Sequence, residues 1–547
     1  MTSHGLLFNH PAPSREVLKI WLDGQGIIYN EDLEISEMED GDGWRIIAKR
    51  DMDLGELICE IPKTSILSHR TSSCPTLPDL EIGTLGGQTI LHLSLCLLHE
   101  FRLAEESPFY GYLQSLPRET ISLPIFWDIP EIGGEDGKKA KKWLNGTEAE
   151  RELTIRDKEG LSLSDIQNFY EKYSTLLPNT SNHNKPSSIL SYYYCFSIIS
   201  TRAFMIDLYH LIALCPFADI LNHNSNYSNT SLSSDDFVCH LCGSLKTCKH
   251  DFKNSNGISF RLNHLNKKDI SKIENDEKDT IELKVENIIN IKKNKEVWNS
   301  YGDGINDGKL LVEWGFINQE FSGEGLIWNF HQELNFIYKN KIENENEIEI
   351  EEISKLIDKV AQNKNLSNFD HYEDENERLL CEQSKLDKRL LNLDHDGKIS
   401  INIFGWLWFY SSSSSEYPMS KNLDYNEEEN VKMLIKAVDL LERIWSVINH
   451  DHQVGVNINE NNIQDDSKHP NQVNQLIRVV KQVIKMLRER LSKMYQPEMN
   501  QDDLFDLRDS LDPKDKNQYM AMTLSINERV LLRSTLNKWE DVLAYLE

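Results

Sequence analysis

The sequence lacks the long apolar run that a membrane-spanning helix requires, because no segment approaches about 20 consecutive apolar residues. It also lacks a basic start followed by an apolar core, so we expect neither a membrane span nor a secretory signal. Its nine cysteines are few for 547 residues, and several lie in apolar runs, where reduced cysteine behaves as a small hydrophobic residue. These features predict a reducing compartment, namely the cytosol, the nucleus or both.

Positive charge is also in short supply. The chain has 59 lysines and arginines against 88 aspartates and glutamates, which gives a formal net charge of −29. This balance argues against direct binding of nucleic acid and favours a basic protein partner, which an acidic surface attracts. The alternative is that the acidity only keeps the chain in solution. The length and the hydrophobic content of 39% suffice for two or three domains with sizeable cores.

Hydrophobic periodicity predicts both helices and strands in the first 320 residues. We expect helices within 14–30, 86–106, 160–175 and 186–213, and strands at Trp44–Ala48, at Leu57–Ile61 and from Ile281 towards Val297. Beyond an acidic stretch at 342–352 the pattern is helical. The expected helices cover about 368–392, 402–411, 427–450, 470–495 and 517–546.

The stretch that organises the chain is Leu214–Asn226, an apolar run with a proline that leads to Asn222 and His223. Such a run can deliver an asparagine and a histidine side by side at a cleft, where they offer hydrogen-bond donors and acceptors to a polar ligand. The plainer alternative is a helix C-terminus with a capping asparagine. We expect Asp219, inside the run, to brace the turn rather than to touch a ligand.

Three further blocks accompany this stretch in a fixed order. They are Gly43–Ala48 with the following Gly55-Glu56 and Glu60–Lys63, then Ser200–Phe204, and finally Ser300–Gly302 with Asn306, Leu310-Leu311 and Trp314–Phe316. In order and spacing the four blocks resemble those of the SET-domain protein methyltransferases. The resemblance is greatest to the branch typified by the Rubisco large-subunit lysine methyltransferase, which includes fungal ribosomal-protein lysine methyltransferases.

The resemblance implies an α+β fold, with a mostly β SET core and a helical insertion, followed by an all-helical C-terminal domain that docks the protein substrate. The SET domain would span 1–320, with the helical insertion at about 86–195 and a Cys/His-containing insert at about 230–260. The C-terminal domain would span 321–547. The segments Tyr110–Pro117 and Trp143–Glu148 resemble parts of the family's helical insertion.

The resemblance also implies an activity, namely S-adenosylmethionine-dependent protein-lysine N-methyltransfer. The expected substrate is a ribosomal or other basic protein, and we expect the enzyme to act as a monomer. Two alternatives stay open. One is protein-histidine N-methyltransfer, which occurs in the same branch, and the other is a catalytically silent SET-like module that only binds a partner.

Carried over by motif, the family's catalytic tyrosine falls on Tyr301, whose hydroxyl would orient the amine and the transferred methyl group. Trp314 and Phe316 fall where two aromatic residues surround the lysine channel. The residues expected at the cofactor are Asp42, Trp44, Arg202, Asn222, His223, Tyr301 and Phe316. The family usually has tyrosine at the position of Trp314 and glycine at that of Arg45, so the number of methyl groups added and the form of the opening loop stay open.

A separate cluster contains Cys239, Cys242, Cys248 and His250. Three thiols and an imidazole within twelve residues are the ligand set of a tetrahedral structural zinc site, although the spacing is not that of a standard finger. The surrounding segment is polar and has little apolar material from which to build a core of its own. The alternatives are free surface cysteines or a site that takes up metal adventitiously.

Overall fold

A computed structural model describes most of the chain and divides it into two compact units. The described residues are 14–38, 43–77, 86–178, 188–224, 228–234, 237–253, 259–263, 265–275, 279–286, 290–302, 304–318, 325–329, 355–360, 379–381, 390–412, 427–454 and 470–547. Unit 1 comprises 1–138, 152–303 and 309–318, and unit 2 comprises 139–151, 304–308 and 319–547. In these described ranges we find no helix that is long and apolar enough to cross a membrane.

The first 318 residues contain short strands and helices. The strands are β1 (Ile28–Tyr29), β2 (Leu33–Glu37), β3 (Trp44–Ala48), β4 (Leu57–Pro62), β5 (Leu67–Ser68), β6 (Ala203–Met205), β7 (Ile212–Leu214), β8 (Thr230–Ser233) and β9 (Thr280–Val285). The helices are α1 (Arg15–Gly24), α2 (Gly87–Leu103), α3 (Tyr110–Leu113), α4 (Gly134–Trp143), α5 (Glu148–Lys158), α6 (Leu163–Tyr173), α7 (Ile189–Arg202), α8 (Lys267–Asn275) and α9 (Asp307–Trp314).

The strands of unit 1 form three small sheets. Their orders are β1-β4-β9-β8, β5-β7-β6 and β2-β3, and every pairing is antiparallel. In β9 the alternate residues Ile281, Leu283 and Val285 are buried, which is the period-two pattern of a strand with one face on a core. Helices α2 and α7, most of whose residues are buried, pack on each other and join the same core.

The helix predicted over 186–213 is wrong beyond Arg202, because the chain then forms β6 and β7. The turn between these strands is fixed by Asp207, whose carboxylate accepts the backbone N–H groups of Tyr209 at 2.9 Å and His210 at 2.7 Å. Leu211 has a φ of 61°, a left-handed conformation that interrupts a helix. The Asp207 side chain therefore stabilises a turn that the hydrophobic pattern of this segment does not predict.

Unit 2 contains a four-stranded sheet and long helices. The sheet order is β10-β12-β13-β11, from β10 (Leu326–Asn329), β11 (Leu380–Cys381), β12 (Leu390–Leu393) and β13 (Ile399–Ser400). The helices that follow are α10 (Ile401–Ser412), α11 (Glu427–Val454), α12 (Pro470–Lys493), α13 (Gln501–Asp509) and α14 (Lys516–Leu546).

This sheet corrects the expectation of an all-helical C-terminal region. The helix predicted over 368–392 is wrong where that range is described, and its other residues, like 342–352, lie outside the described residues. The cause is a hairpin turn, in which Asp394 accepts the N–H groups of Asp396 at 3.0 Å and Lys398 at 2.8 Å and so pairs Leu393 with Ile399.

Residues 139–151 contribute a buried charged group to unit 2. Glu148 lies 2.9 Å from Arg490 and 2.7 Å from Arg151, and its backbone N–H donates to the carboxylate of Glu528 at 3.0 Å. Burial raises the pKa of Glu528 to about 8, against the attraction of Arg490. The ends of α4 and α5 therefore supply structural groups to unit 2, although by sequence they precede most of unit 1.

Candidate active site

The Asn222-His223 pair lies at the end of a tightly turned segment in unit 1. After β7 the chain forms a short 3₁₀ helix at Ala218–Ile220, which Phe217 enters with a φ of 78°. A left-handed conformation is costly for a bulky residue, and Phe217 is held by burial and by stacking on Tyr29 at 5.0 Å. The pair therefore follows a 3₁₀ turn that packing keeps in place, rather than the C-terminus of an α-helix.

His223 and Tyr301 are held together in two ways. The backbone N–H of Tyr301 donates to Nδ1 of His223 at 3.1 Å, and their rings stack with centroids 4.9 Å apart. Because burial lowers the pKa of His223 to about 4, the imidazole is neutral near pH 7 and its Nδ1 can accept this hydrogen bond. A neutral histidine thus fixes the backbone of the predicted catalytic tyrosine.

Tyr301 is surrounded by aromatic rings. Trp314 stacks on it with centroids 5.3 Å apart, and Phe316 meets it edge-on at 6.4 Å. The phenol hydroxyl lies 3.5 Å from the carbonyl oxygen of Leu221, the outer limit of a hydrogen bond. Burial raises the pKa of Tyr301 to about 12, so the phenol stays protonated at physiological pH. It can therefore donate or accept a hydrogen bond, but it is not a base.

Arg202 lies beside Asp219, and both interact electrostatically with Tyr301. One guanidinium nitrogen donates to the backbone carbonyl of Asp219 at 2.6 Å and lies 3.8 Å from its carboxylate. The hydroxyl of Tyr112 donates to the same carboxylate at 2.8 Å. Burial raises the pKa of Asp219, while Arg202 and Tyr112 oppose that shift. Asp219 thus braces the turn, and it also orients Arg202.

Asn222 reaches the predicted opening segment. Its amide nitrogen donates to the carboxylate of Glu296 at 2.9 Å and lies 3.5 Å from the carbonyl oxygen of Trp44. Burial raises the pKa of Glu296, whereas Asn222 and the Arg45 guanidinium lower it. The charge of Arg45 is therefore balanced by an acidic neighbour in the same unit.

The structure brings most of the predicted residues together and leaves one untested. The rings of His223, Tyr301, Trp314 and Phe316 pack on one another. Arg202 interacts electrostatically with Tyr301, and Asn222, which precedes His223, lies 3.5 Å from the carbonyl oxygen of Trp44. Asp42 lies outside the described residues. Sequence reasoning missed Tyr112 and Glu296. Tyr112 stands 107 positions from Asp219, and no local pattern marks a pairing at that distance.

The predicted metal ligands also converge. The thiol sulfurs of Cys239, Cys242 and Cys248 and a ring nitrogen of His250 all lie within 4.8 Å of one another. His250 Nδ1 lies 3.7 Å from the sulfurs of both Cys239 and Cys248. In the described part of the chain this is the only group of three or more such side chains with metal-binding geometry.

The backbone is similar to known structures over almost its whole length. It aligns with the crystal structure of the SET domain of LSMT bound to lysine and AdoHcy with a TM-score of 0.54 and 13% identity, covering 97% of this chain and 92% of that one. The values for Rubisco LSMT bound to AdoMet are 0.54 and 12%, with 98% and 94% covered. The chain has the SET fold. The predicted fold class is confirmed, apart from the sheet in unit 2.

Curated relatives of this SET-fold chain include proteins named lysine N-methyltransferases. An Arabidopsis thaliana chloroplastic fructose-bisphosphate aldolase-lysine N-methyltransferase is 26% identical over 226 residues, or 41% of each chain. Ribosomal lysine N-methyltransferase 3 of Saccharomyces cerevisiae is 26% identical over 258 residues, which cover 43% of this chain and 44% of the relative. The chain thus matches less than half the length of these relatives. No family model matches it. The predicted resemblance is confirmed by these relatives.

Proposed function

We propose that this protein is an S-adenosylmethionine-dependent protein-lysine N-methyltransferase. The observation that carries the proposal is Tyr301, whose ring stacks on those of His223 and Trp314 and whose pKa of about 12 keeps the phenol protonated. A protonated phenol can orient an amine by hydrogen bonding. Such alignment of the two reactants supplies much of the rate of a direct displacement.

The aromatic residues explain how a lysine would become reactive. Only a neutral amine can attack, and an apolar surrounding lowers the pKa of a lysine because it disfavours the charged form. Tyr301, Trp314 and Phe316 provide such a surrounding. Since the phenol is not a base, these residues would favour the neutral amine, and the proton that the lysine ammonium loses would pass to solvent.

The residues present also fit the cofactor. S-adenosylmethionine, when bound, supplies a methyl group on a sulfonium. The Nε atom of Arg202 is buried and has no hydrogen-bond partner among the described residues. A buried donor without a partner is costly and suits an anionic ligand group such as a carboxylate. Arg202 would hold that group, and Asn222, His223, Trp44 and Phe316 would line the remainder of the cofactor site.

The proposed substrate is a ribosomal or other basic protein. The net charge of −29 favours encounter with a lysine-rich partner, and one relative is named a ribosomal lysine N-methyltransferase. We place the enzyme in the cytosol, the nucleus or both, as a monomer. Modification of histidine instead of lysine is the competing activity, and analysis of the modified residue distinguishes the two.

The test combines calorimetric titration with S-adenosylmethionine and transfer of labelled methyl groups to a ribosomal-protein fraction. Tyr301→Phe keeps the ring and removes the hydroxyl. Tyr192→Phe is the matched control, because its buried hydroxyl donates to the carbonyl of Leu91 at 2.8 Å and its ring packs on Phe169 and Tyr170. We expect all three proteins to bind the cofactor and only Tyr301→Phe to lose transfer, by about 10²-fold or more.

Failure of the wild-type protein to bind S-adenosylmethionine would refute the enzyme proposal and favour the silent binding module. Equal methyl transfer by the wild type and by Tyr301→Phe would refute the role of Tyr301. Labelled histidine in the product, identified by mass spectrometry after digestion, would replace the lysine assignment with the histidine one.

A further inference from the structure

We infer that Cys239, Cys242, Cys248 and His250 form a structural zinc site, independent of the proposed methyltransferase activity. The distances fit a common metal ion. In a tetrahedral site with bonds of about 2.3 Å to sulfur and about 2.0 Å to nitrogen, sulfur and nitrogen ligands lie about 3.5 Å apart. His250 Nδ1 lies 3.7 Å from two of the sulfurs, and all four ligand atoms lie within 4.8 Å of one another.

The first two cysteines lie on a tight turn. The N–H of Gly243 donates to the carbonyl of Cys239 at 2.7 Å, and the N–H of Cys239 donates to the carbonyl of Ser244 at 2.9 Å. Gly243 has a φ of 70°, which suits glycine at this position. The turn brings the sulfurs of Cys239 and Cys242 to one side, where they converge with the other two ligands.

The second pair of ligands is held by an arginine and an aspartate. The carboxylate of Asp251 accepts the N–H of Cys248 at 2.8 Å and pairs with Arg261 at 2.7 Å. Arg261 also donates to the carbonyl of Leu245 at 2.9 Å and to that of Lys246 at 2.6 Å. Partners outside the first ligand sphere commonly orient metal ligands in this way.

The segment that carries the ligands has little core of its own. Over 237–253 and 259–263, the buried apolar residues are Val238, Cys239, Leu245 and Leu262. Four larger side chains are exposed there, namely Phe237, Leu241, Phe252 and Phe260. Because so little apolar surface is buried, bonds to a metal would supply much of the free energy that orders the segment.

The proposed metal is structural rather than catalytic. Three thiolates and one imidazole complete a tetrahedral sphere and leave no position for water or substrate. Thiolate and imidazole ligands also favour zinc over the hard cations magnesium and calcium, which prefer oxygen. The segment also packs closely on Tyr209 at Gly243, where a Cβ would come within 2.6 Å of the tyrosine ring. The metal would hold the segment in this close contact.

The experiment measures metal in the full chain purified without added zinc or chelator. Elemental analysis should give about one zinc per chain. After exchange with cobalt, thiolate-to-cobalt charge-transfer bands and tetrahedral d–d bands should appear in the absorption spectrum. His250→Ala and Cys242→Ser should lose most of the metal, and chelation should lower the melting temperature of the wild type more than that of either variant.

Two matched controls distinguish this site from adventitious metal. His240→Ala removes an exposed histidine of the same segment that is not among the four ligands, and Cys74→Ser removes a half-buried thiol elsewhere. Both should keep about one zinc per chain and the cobalt spectrum. Absence of stoichiometric zinc from the wild type, or equal zinc in His250→Ala and His240→Ala, would overturn the proposal. Neither result depends on methyl transfer.

Discussion

The indole of Trp314 lies almost parallel to the phenol of Tyr301, with ring centroids 5.3 Å apart and ring planes inclined by 23°. The backbone positions both rings, because the N–H of Tyr301 donates to His223 and Trp314 is the last residue of α9. Offset aromatic pairs of this kind contribute about 0.5–1.5 kcal/mol beyond the area they bury. Trp314 therefore holds the ring of Tyr301 in place by stacking. Unlike a tyrosine at this position, it adds no second hydroxyl beside that of Tyr301.

Replacement of Trp314 should change the product more than the binding of cofactor. Trp314→Tyr introduces a hydroxyl that can accept a hydrogen bond from a lysine amine and restrain its rotation for a further transfer. We expect fewer methyl groups per modified residue, measured by mass spectrometry of the substrate. Trp314→Phe is the control for size, because it replaces the indole with a smaller ring and adds no hydroxyl. Equal product distributions in the two variants would contradict this explanation.

His223 should remain neutral through the physiological range. Burial lowers its pKa to about 4, against about 6.5 for an unfolded histidine. Because the folded pKa is the lower one, its contribution to stability is complete above about pH 6.5 and declines as the pH falls towards 4. Histidine NMR should show a ring that is absent in His223→Gln and that titrates near pH 4. Titration of that ring near pH 6.5 would show that burial does not lower the pKa of His223.

Arg490 should be essential for the stability of unit 2. Arg490→Met removes the buried cation that lies 2.9 Å from the carboxylate of Glu148. Breaking a buried ion pair costs up to about 3–5 kcal/mol, and the loss should stay within that range because Arg151 still pairs with this carboxylate at 2.7 Å. Arg488→Met is the matched control on the same helix, because its pair with Glu540 is largely exposed and should contribute less than about 1 kcal/mol. Denaturant unfolding followed by tryptophan fluorescence gives both values. A similar small loss in the two variants would show that the buried pair is not needed.

Local patterns predicted the elements whose signals are local. The strand at Trp44–Ala48 and helix α2 have the expected hydrophobic periods, and the structure places both within the predicted ranges. The long helices beyond residue 400 also start and end within a few residues of their predicted bounds. Because one face of each element is buried, the period in the sequence matches the period of the fold.

The errors occur where a distant partner or a polar turn decides the structure. The apolar run at 203–214 forms strands because β7 pairs with β5, which lies far away in the sequence. The hairpin at Asp394 had a local signal, since Asp-His-Asp-Gly is a turn sequence that follows an apolar strand. The contacts of Asn222 with Glu296 and of Asp219 with Tyr112 carry no such signal. The candidate site was therefore predictable by motif, whereas its supporting contacts were not.

The position of Glu148 limits how the two halves of this protein can be exchanged in evolution or by recombination. A fragment that began at residue 319 would contain Arg490 and Glu528 but neither 139–151 nor 304–308, which belong to the same compact unit. Arg490 would then lose its buried carboxylate, and Glu528 would lose the backbone N–H that it accepts. A C-terminal half taken from a relative would therefore need its own counterpart of 139–151. The part that would have to be exchanged as a whole is unit 2, which is discontinuous in sequence.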